Sequence, residues 1–436
     1  MKPLFIISCP IDTYSGYGAR SRDLVKAIIE LDKYDVKVLP QRWGNTPWDY
    51  IENHSEEWGF LQEHLLPMGN QLPAKPKIWA QISVPNEFQP IGDFNIGFTA
   101  GIETTVCHHS WVEGLNRMDM NFVSSNHAKE VFQKAKFAQV DSKTNQQVGE
   151  VFLQKPIEVL FEGINLDKYF PSKEKGSIDL SEIKESFAYL FVGHWMQGVI
   201  GEDRKNVGMM LKTFYETFKN QKKAPALILK TSGAGASYMD REHILDKIHQ
   251  VKSTVEANTL PNVYLLHGEF TEEEMNGLYN NPKVKAMVSF TKGEGFGRPL
   301  LEFSLVNKPI IATNWSGHID FLDSKFTTLV EGELTNVHES AQVRDMILKE
   351  SQWFSINTGK ASAHLQHMFE NYKGYEKGAK LQYHRSKNNF NFEKMKEALG
   401  EQLDIYVPEF PEMIKLELPK LNLPKLKKLE HEPAKG

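Results

Sequence analysis

The arrangement of apolar segments constrains the fold of this chain more than any other feature of its sequence. Short apolar runs, typical of buried strands, alternate with segments whose apolar residues recur at the spacing of one helix face. This alternation is typical of a parallel sheet covered by helices. One series begins at Leu4, and a second begins at Tyr189 after a charged, turn-rich segment at 163–184. The sequence therefore predicts two successive doubly wound α/β domains.

The predicted strands fall into two groups on either side of that segment. The first group comprises 4–8, 35–39, 78–84, 96–100, 121–124 and 156–161, and the second comprises 189–192, 226–230, 263–267, 286–290 and 310–313. Residues 43–76 interrupt the alternation with tryptophans and prolines, which predicts an insertion at a cleft rather than part of the sheet. A chain of 436 residues fits two domains of ordinary size.

Charge and cysteine content exclude several classes of protein. Lys and Arg number 51 against 56 Asp and Glu, so the net charge of −5 provides no global basic field for nucleic acid or anionic lipid. Only Cys9 and Cys107 are present, which excludes a disulfide framework or a four-thiolate zinc site and favours a reducing compartment. No apolar run approaches the roughly 18 residues of a membrane span, and the N-terminal run is too short for a signal peptide. We expect a cytoplasmic protein, soluble or peripherally associated with a membrane.

The segment 408–436 differs in composition from the rest of the chain. Three prolines between Pro411 and Pro424 forbid a continuous helix. Between Met413 and Lys428, five lysines and one glutamate give a local charge of +4, which leaves −9 on the remainder. Two interpretations are open. The segment is either an extended basic arm that docks on the body, a second subunit or an anionic partner, or a solvated and partly disordered tail.

The strongest functional signal is a glycine-rich segment that follows the predicted strand 286–290. It reads Lys-Gly-Glu-Gly-Phe-Gly-Arg-Pro-Leu-Leu-Glu from Lys292 to Glu302. Glycines let the backbone approach a ligand closely, and the N-terminus of the following helix presents free N–H groups to a phosphate. Glu302, expected in the first turn of that helix, suits hydrogen bonds from sugar hydroxyls, and Glu294 faces the same crevice. The pattern indicates a ligand with both a diphosphate and hydroxylated rings, as in a nucleotide sugar.

Weaker signals come from other predicted strand ends. Gly16 and Gly18 follow the first strand, although Ser21 breaks the glycine fingerprint of dinucleotide-binding proteins there. Four further residues near predicted strand ends or helix starts are candidates for contact with such a ligand, namely Lys230, Arg20, Glu103 and His109. A solvated position is an equally common interpretation for Lys230 and a commoner one for Arg20. Because no Asp-x-Asp pair and no zinc ligand set is visible, we expect neither a metal nor a cofactor.

At the glycine-rich segment the sequence resembles a known family. Glu294 and Glu302, with seven residues between them in the frame E-G-F-G-x-P-x-x-E, are similar to the paired-glutamate motif of the retaining GT-B glycosyltransferases of family 4 (glycosyl transferases group 1). The continuation from Asn307 to Gly317 also resembles that family's turn, strand and glycine-containing loop. The likeness in alternation covers most of 1–405, and its motifs are sharpest between about 186 and 320.

The resemblance implies the GT-B architecture, in which two doubly wound, Rossmann-like domains face each other and a C-terminal helix crosses back to the first. The domain at 1–170 would bind the acceptor, and the domain at 171–385 would bind the nucleotide-sugar donor. Residues 386–407 would form the crossover helix, and the basic tail at 408–436 would follow it.

The resemblance also implies roles for individual residues. Glu302 would bind the donor ribose, and Glu294 would face the donor sugar near the reacting carbon. The family places a basic pair after the first strand of the second domain. Here His194 stands where an arginine is usual, and Arg204 and Lys205 are assigned to the diphosphate and to catalysis with Glu294. The donor is further expected to contact Gly16, Gly18, Lys230, Gly295, Phe296, Gly297 and Arg298. Arg20, Glu103 and His109 are candidates for contact with the acceptor or the donor sugar.

The expected reaction is transfer of a hexose or related sugar, with retention of configuration, from a UDP- or GDP-linked donor to a hydroxyl acceptor. A diphosphate oxygen would take the proton of the acceptor, and a covalent route through a glutamate stays open. The default acceptor is a glycan or a lipid-linked sugar. A modified base in DNA is an alternative, because the aromatic insertion can stack on a base and the lysine-rich tail can contact phosphates. A non-catalytic nucleotide-sugar or glycan-binding protein, a phosphorylase and an epimerase are the other classes left open.

Overall fold

Two parallel sheets of six strands each organise the chain. The computed structural model describes residues 2–410 except 68, 70, 71, 73, 174, 175, 177, 234 and 236. The predictions made for the tail at 411–436 lie outside the described residues. None of the helices in the described ranges is long and apolar enough to cross a bilayer.

The first half of the chain builds one sheet with its covering helices. Its elements are β1 (Leu4–Cys9), α1 (Gly16–Glu30), β2 (Asp35–Pro40), α2 (Tyr50–Asn53), α3 (Ser55–Trp58), β3 (Ile78–Ile82), β4 (Phe94–Thr99), α4 (His109–Arg117), β5 (Met120–Val123), α5 (Asn126–Lys134), β6 (Lys136–Val140), β7 (Gln147–Phe152) and β8 (Ile157–Val159). The strand order is β2-β1-β3-β4-β5-β8, and every pairing is parallel. Because β1 pairs on both sides and is covered by helices, its apolar run is buried on both faces.

The second half repeats this plan. Its elements are β9 (Ala188–Val192), α6 (Val207–Phe218), β10 (Ala226–Lys230), α7 (Tyr238–Ser253), β11 (Val263–Leu266), α8 (Glu272–Asn280), β12 (Val284–Ser289), α9 (Arg298–Ser304), β13 (Ile310–Thr313), β14 (Thr328–Val330), β15 (Gly332–Asn336), β16 (Gln352–Ile356), α10 (Thr358–Glu370), α11 (Tyr372–Asn389) and α12 (Phe392–Tyr406). The strand order is β11-β10-β9-β12-β13-β14, again all parallel. The predicted division near residue 170 falls between β8 and β9.

The last helix returns to the first half of the chain. Met395 and Leu399 of α12 are fully buried in the same core as Phe5 of β1. The predicted crossover helix is therefore present. The predicted range of 386–407 includes the last residues of α11 as well as the whole of α12, which begins at Phe392.

Two antiparallel hairpins, β6–β7 and β15–β16, have no counterpart among the predicted strands. The first begins at Lys136, directly after α5, which ends at Lys134. Both strands of this hairpin are largely exposed. Their sequence therefore lacks the apolar run that marks a buried strand.

The insertion predicted at 43–76 contains α2, α3 and a 3₁₀ turn at Gly59–His64. It is anchored to the first core by Leu61, which is fully buried, and by Trp58, which is 6% exposed. The same anchoring brings Tyr50 and Trp58 to the cleft between the two halves.

Candidate active site

The glycine-rich segment joins β12 to α9 at the carboxyl ends of the strands of the second sheet. Glu294 is 7% exposed, and its two carboxylate oxygens lie 2.5 and 2.6 Å from Lys205 Nζ. Lys205 belongs to the loop between β9 and α6. Because β9 and β12 are adjacent parallel strands, the loops at their carboxyl ends meet at one edge of the sheet. Two residues assigned to catalysis from the sequence are thus in direct contact.

The backbone of Glu294 is held by the loop after β13. Ser316 Oγ accepts a hydrogen bond from the Glu294 N–H at 2.9 Å, and the Gly317 N–H donates to the Glu294 carbonyl at 3.0 Å. A side chain at Gly317 would lie 2.2 Å from the Gly295 carbonyl oxygen, so the two loops approach this closely only with glycine there. Hydrogen bonds on both sides of the residue fix the position of its carboxylate.

Burial and charge act against each other in the Glu294–Lys205 pair. Burial raises the pKa of Glu294, but the positive charges of Lys205 and Arg204 outweigh it and bring the pKa below its ordinary value. Burial lowers the pKa of Lys205, against the opposing effect of Glu294. Glu294 is therefore a carboxylate at neutral pH, able to stabilise positive charge and unable to donate a proton.

Arg204 links the two domains. Its Nη1 lies 3.0 Å from Oε1 of Glu103, which follows β4 in the first domain. The backbones also approach closely here. A side chain at Gly293 would lie 1.9 Å from the Glu103 carbonyl oxygen, and one at Gly295 would lie 2.7 Å from the Ala100 carbonyl oxygen. Glycine at these two positions lets the halves of the cleft touch.

Arg298, the first residue of α9, is the centre of a buried ionic network. Its guanidinium lies 2.6 Å from Asp23 Oδ2 of α1, 3.2 Å from Glu302 Oε1 and 3.9 Å from Glu162 Oε2. The Tyr279 hydroxyl donates to Glu302 Oε2 at 3.0 Å. Burial raises the pKa values of Glu302 and Glu162 above their ordinary range, despite the nearby arginine.

A cavity of about 190 Å³ lies beside this network, between α1 and α9. The first domain lines it with Gly16 and Asp23, among others, and the second with Phe270, Arg298 and Glu302. Sites for drug-sized ligands usually measure about 300–1,000 Å³. The cavity therefore suits part of a larger ligand.

Neither a family model nor a curated protein sequence matches this chain. Its fold matches solved structures over nearly its whole length. A glycosyltransferase from Rickettsia africae has a TM-score of 0.58 at 13% identity, covering 93% of this chain and 98% of that chain. Sucrose-phosphate synthase from Thermosynechococcus elongatus has a TM-score of 0.60 at 12% identity, and the match covers 93% of this chain and 99% of the synthase. HepE from Anabaena, solved with UDP and glucose, has a TM-score of 0.57 at 10% identity, and the match covers 92% of this chain and 100% of HepE. The chain has the GT-B fold.

The GT-B fold confirms the predicted architecture of two doubly wound domains with a C-terminal helix that crosses back. At identities of 10–13%, the likeness concerns the fold. What each side chain can do follows from the contacts within this chain.

Of the other residues predicted to bind the donor, Gly16 lines the cavity, whereas Lys230 and Phe296 are held by contacts within the second domain. Gly16 and Gly18 form the first turn of α1, and Gly16 lines the cavity. Lys230 Nζ donates to the Gly268 carbonyl at 2.7 Å, so its charge is held at the end of β10. The ring of Phe296 is buried in the hydrophobic core of the second domain, so only the backbone of Phe296 is free to contact a ligand.

Arg20 and His109 are placed differently. Arg20 donates to the carbonyls of Leu160 and Phe161 at 2.5 and 2.7 Å, and so ties α1 to the segment after β8. His109 lies at the exposed start of α4, 3.2 Å from Glu113. Neither is among the residues that line the cavity. Their positions favour structural and surface roles over the predicted contacts with acceptor or donor sugar.

The prediction that Glu302 lies in the first turn of its helix is wrong. Gly297 has a φ of 96° and caps α9, which begins at Arg298. Glu302 therefore lies in the second turn, where its carboxylate contacts Arg298 and Tyr279 rather than the free N–H groups of the helix start.

Asp23, Glu162 and Tyr279 are site residues that the sequence patterns did not single out. Asp23 and Glu162 lie far from the glycine-rich segment in sequence, Tyr279 lies in the helix before β12, and no local spacing marks any of the three. Ser316 could have been identified from the sequence, because it belongs to the 307–317 continuation of the motif. Among the residues that the structure describes, no group of three or more His, Cys, Asp or Glu could hold a metal ion.

Replacing Gly297 with alanine is expected to destabilise the protein by about 1–2 kcal/mol, because a left-handed backbone is costly for a residue with a Cβ. Urea unfolding followed by circular dichroism measures the change. Gly374 in α11 has open space around its Cβ position and is the matched control. Gly374→Ala should stabilise the protein by about 0.5–1 kcal/mol. Effects of the same sign for both variants would contradict the capping role of Gly297.

Proposed function

We propose that the protein is a retaining glycosyltransferase that moves a hexose or related sugar from a nucleoside-diphosphate sugar to a hydroxyl acceptor. The observation that carries this proposal is the buried Glu294–Lys205 pair, with Arg204 beside it, at the glycine-rich loop of a GT-B cleft. HepE from Anabaena, which shares the fold, was also solved with UDP-glucose. A donor of the same class suits the charges of this cleft.

The charged groups of the cleft suit the two ends of such a donor. Arg204 and Lys205 can stabilise the negative charge that develops on a departing diphosphate. Glu302, beside the cavity, can accept hydrogen bonds from ribose hydroxyls. The backbone of the glycine-rich segment, from which the Phe296 ring turns into the core, can offer N–H groups to the diphosphate between them.

Transfer in this geometry needs no nucleophile from the protein. Both oxygens of Glu294 contact Lys205, so attack by Glu294 on the sugar would first have to break that contact. In the direct route, the acceptor hydroxyl attacks the anomeric carbon on the face that the diphosphate leaves. The bond from carbon to diphosphate oxygen breaks as the new carbon–oxygen bond forms, and the hydroxyl proton passes to a diphosphate oxygen. The carboxylate of Glu294 stabilises the positive charge that develops on the sugar.

We further propose a glycan or a lipid-linked sugar as the acceptor, rather than a modified base in DNA. The segment 41–66 reaches the cleft through Tyr50 and Trp58, and it contains one arginine against five acidic residues. Such a surface repels a phosphate backbone. Its aromatic rings can still pack against an uncharged sugar. The protein would act in the cytoplasm, with the basic tail at 408–436 available for an anionic membrane surface.

A panel of UDP- and GDP-linked sugars tests the proposal, with release of nucleoside diphosphate as the readout. One donor is expected to be hydrolysed slowly on its own and faster when a glycan acceptor is present. Arg204→Ala should slow release by about 100-fold, because it removes a charge that stabilises the leaving group. Arg344→Ala is the control, since the Arg344 side chain is 95% exposed. A rate of nucleoside diphosphate release that no acceptor increases would contradict sugar transfer.

Repeating the acceptor screen with a chain that ends at residue 407 tests the tail. If the tail positions the acceptor, truncation abolishes transfer and leaves donor hydrolysis intact. If the tail is only solvated, both rates match those of the full chain.

A further inference from the structure

Glu272, the first residue of α8, lines the cavity together with Glu302. Its carboxylate makes no hydrogen bond or ion pair with any residue in the described part of the chain. The next two residues are engaged, Glu273 with Lys168 and Glu274 with the cap of α8. Glu272 is thus a strong hydrogen-bond acceptor that faces a cavity and has its oxygens free for a ligand.

Charged and titratable groups from four helices surround this carboxylate. Burial raises the pKa of Glu272 to about 7, against the opposing charge of Arg298. The groups that face it are Arg22 and Asp23 of α1, Tyr50 of α2, Glu57 of α3, Tyr169 of the segment after β8, and Arg298 and Glu302 of α9. Glu269, in the loop before α8, lines the same cavity. The cavity therefore suits a part of a ligand that brings hydrogen-bond donors rather than negative charge.

The next step rests on the proposed nucleotide-sugar donor. If Glu302 accepts hydrogen bonds from the ribose, the base joined to that ribose lies in the adjoining cavity. Tyr50, Trp58 and Phe270 line the cavity. Both faces of the Tyr50 ring are covered, by the Arg22 guanidinium and by His54, so Tyr50 can contact a base only through its edge. The ring of Phe270 can pack against a planar base. The carboxylate of Glu272 then meets the hydrogen-bonding edge of the base.

We propose that Glu272 makes the protein specific for a guanine nucleotide by accepting hydrogen bonds from the N1–H and N2–H groups of the base. Among the common bases, only guanine carries two adjacent N–H donors on its pairing edge, and these match the two oxygens of a carboxylate. Uracil has one N3–H between two carbonyl oxygens, which repel a carboxylate. Adenine and cytosine place a ring acceptor beside their amino group. A site built for paired hydrogen bonds rejects ligands that leave its oxygens unpaired.

Calorimetric titration of the full chain with GDP, IDP and UDP at about pH 8 tests this specificity. GDP is expected to bind about 100-fold more tightly than UDP, and IDP, which lacks the N2 amino group, about tenfold more weakly than GDP. Glu272→Gln should weaken GDP binding about 30-fold and change UDP binding by less than about threefold. Glu273→Gln is the matched control on the exposed side of α8 and should change neither.

The pH dependence separates a direct contact from a structural role. Guanine binds the ionised carboxylate through its N1–H, so the ratio of GDP affinity to UDP affinity should be highest at about pH 8, above the pKa of Glu272 and below the pH at which guanine loses its N1 proton. Below about pH 7, the ratio of GDP affinity to UDP affinity should fall by up to about tenfold per pH unit, because Glu272 takes up a proton, whereas protonation of the diphosphate affects both ligands alike. Glu272→Gln should remove this dependence. A substitution that only disturbed the fold would lower the affinity and keep the dependence.

Three results would overturn the specificity and leave the glycosyltransferase function standing: equal binding of GDP and UDP, tighter binding of UDP, or unchanged GDP binding by Glu272→Gln. Failure of every nucleoside diphosphate to bind would instead contradict the proposed function itself.

Discussion

Replacing Glu294 with glutamine is expected to lower kcat by about 100-fold or more and to leave the Kd for nucleoside diphosphate within about threefold. The amide oxygen still accepts a hydrogen bond from Lys205, which holds Glu294 in the structure. The negative charge that would stabilise the developing positive charge on the sugar is lost. Release of nucleoside diphosphate measures turnover, and calorimetry measures binding.

Two controls make this result interpretable. Glu130→Gln changes an exposed carboxylate of α5 and should leave turnover unchanged. A thermal midpoint of Glu294→Gln within about 3 °C of the wild type shows that the loss of turnover does not come from unfolding. Turnover equal to that of the wild type would remove Glu294 from the mechanism.

Replacing Arg298 with methionine is expected to reduce the free energy of unfolding by about 3–5 kcal/mol at pH 7. Methionine fills much of the same space but leaves Asp23, Glu162 and Glu302 buried beside one another without their shared cation. Urea unfolding measures the loss. Arg344→Met, on an exposed side chain, should stay within about 0.5 kcal/mol of the wild type.

The loss in Arg298→Met should shrink as the pH falls from about 7 to about 5. Carboxylates buried without a cation have folded pKa values above their unfolded ones, so they destabilise the fold where they are ionised and cease to do so once protonated. Burial already raises the pKa values of Glu162 and Glu302 in the wild type. A loss that is small at pH 7, or that is independent of pH, would mean that the network around Arg298 contributes little to stability.

Most of the architecture is predictable because a buried parallel strand carries a continuous apolar run. The predicted strands at 226–230 and 310–313 coincide with β10 and β13. The hairpin β6–β7 was missed for the opposite reason, since its exposed strands have no such run. This reason also holds for β15 but not for β16, which contains the buried Trp353 and Phe354. Burial on both faces, rather than strand formation as such, is what the sequence pattern reports.

The local part of the candidate site is predictable, and the part that depends on domain packing is not. Glycines and acids within one loop predict a ligand site because their spacing acts through a single strand end. The contact between Lys205 and Glu294 also follows once β9 and β12 are neighbours. Asp23 and Glu162 reach Arg298 from the other domain, and no spacing within the sequence encodes that distance.

Arg20 is a residue for which local spacing predicts a ligand contact that the packing of the domain does not provide. A helix arginine just after a glycine loop is a reasonable candidate for a ligand contact. Its guanidinium instead turns inward to the Leu160 and Phe161 carbonyls, beside the sulfur of Met395 on the crossover helix. The return of α12 to the first domain, which lies nearly the whole length of the chain away in sequence, decides where this side chain points.

The configuration of the transferred sugar is the most direct readout of the proposed chemistry. Proton NMR of the reaction between the preferred nucleotide sugar and its acceptor reports the anomeric coupling constant of the first product. An α-linked donor is expected to give an α-linked product, and Glu294→Gln should slow its appearance by about 100-fold. A β-linked product would contradict retention, and the absence of any product across the whole panel of nucleotide sugars would contradict glycosyl transfer by this cleft.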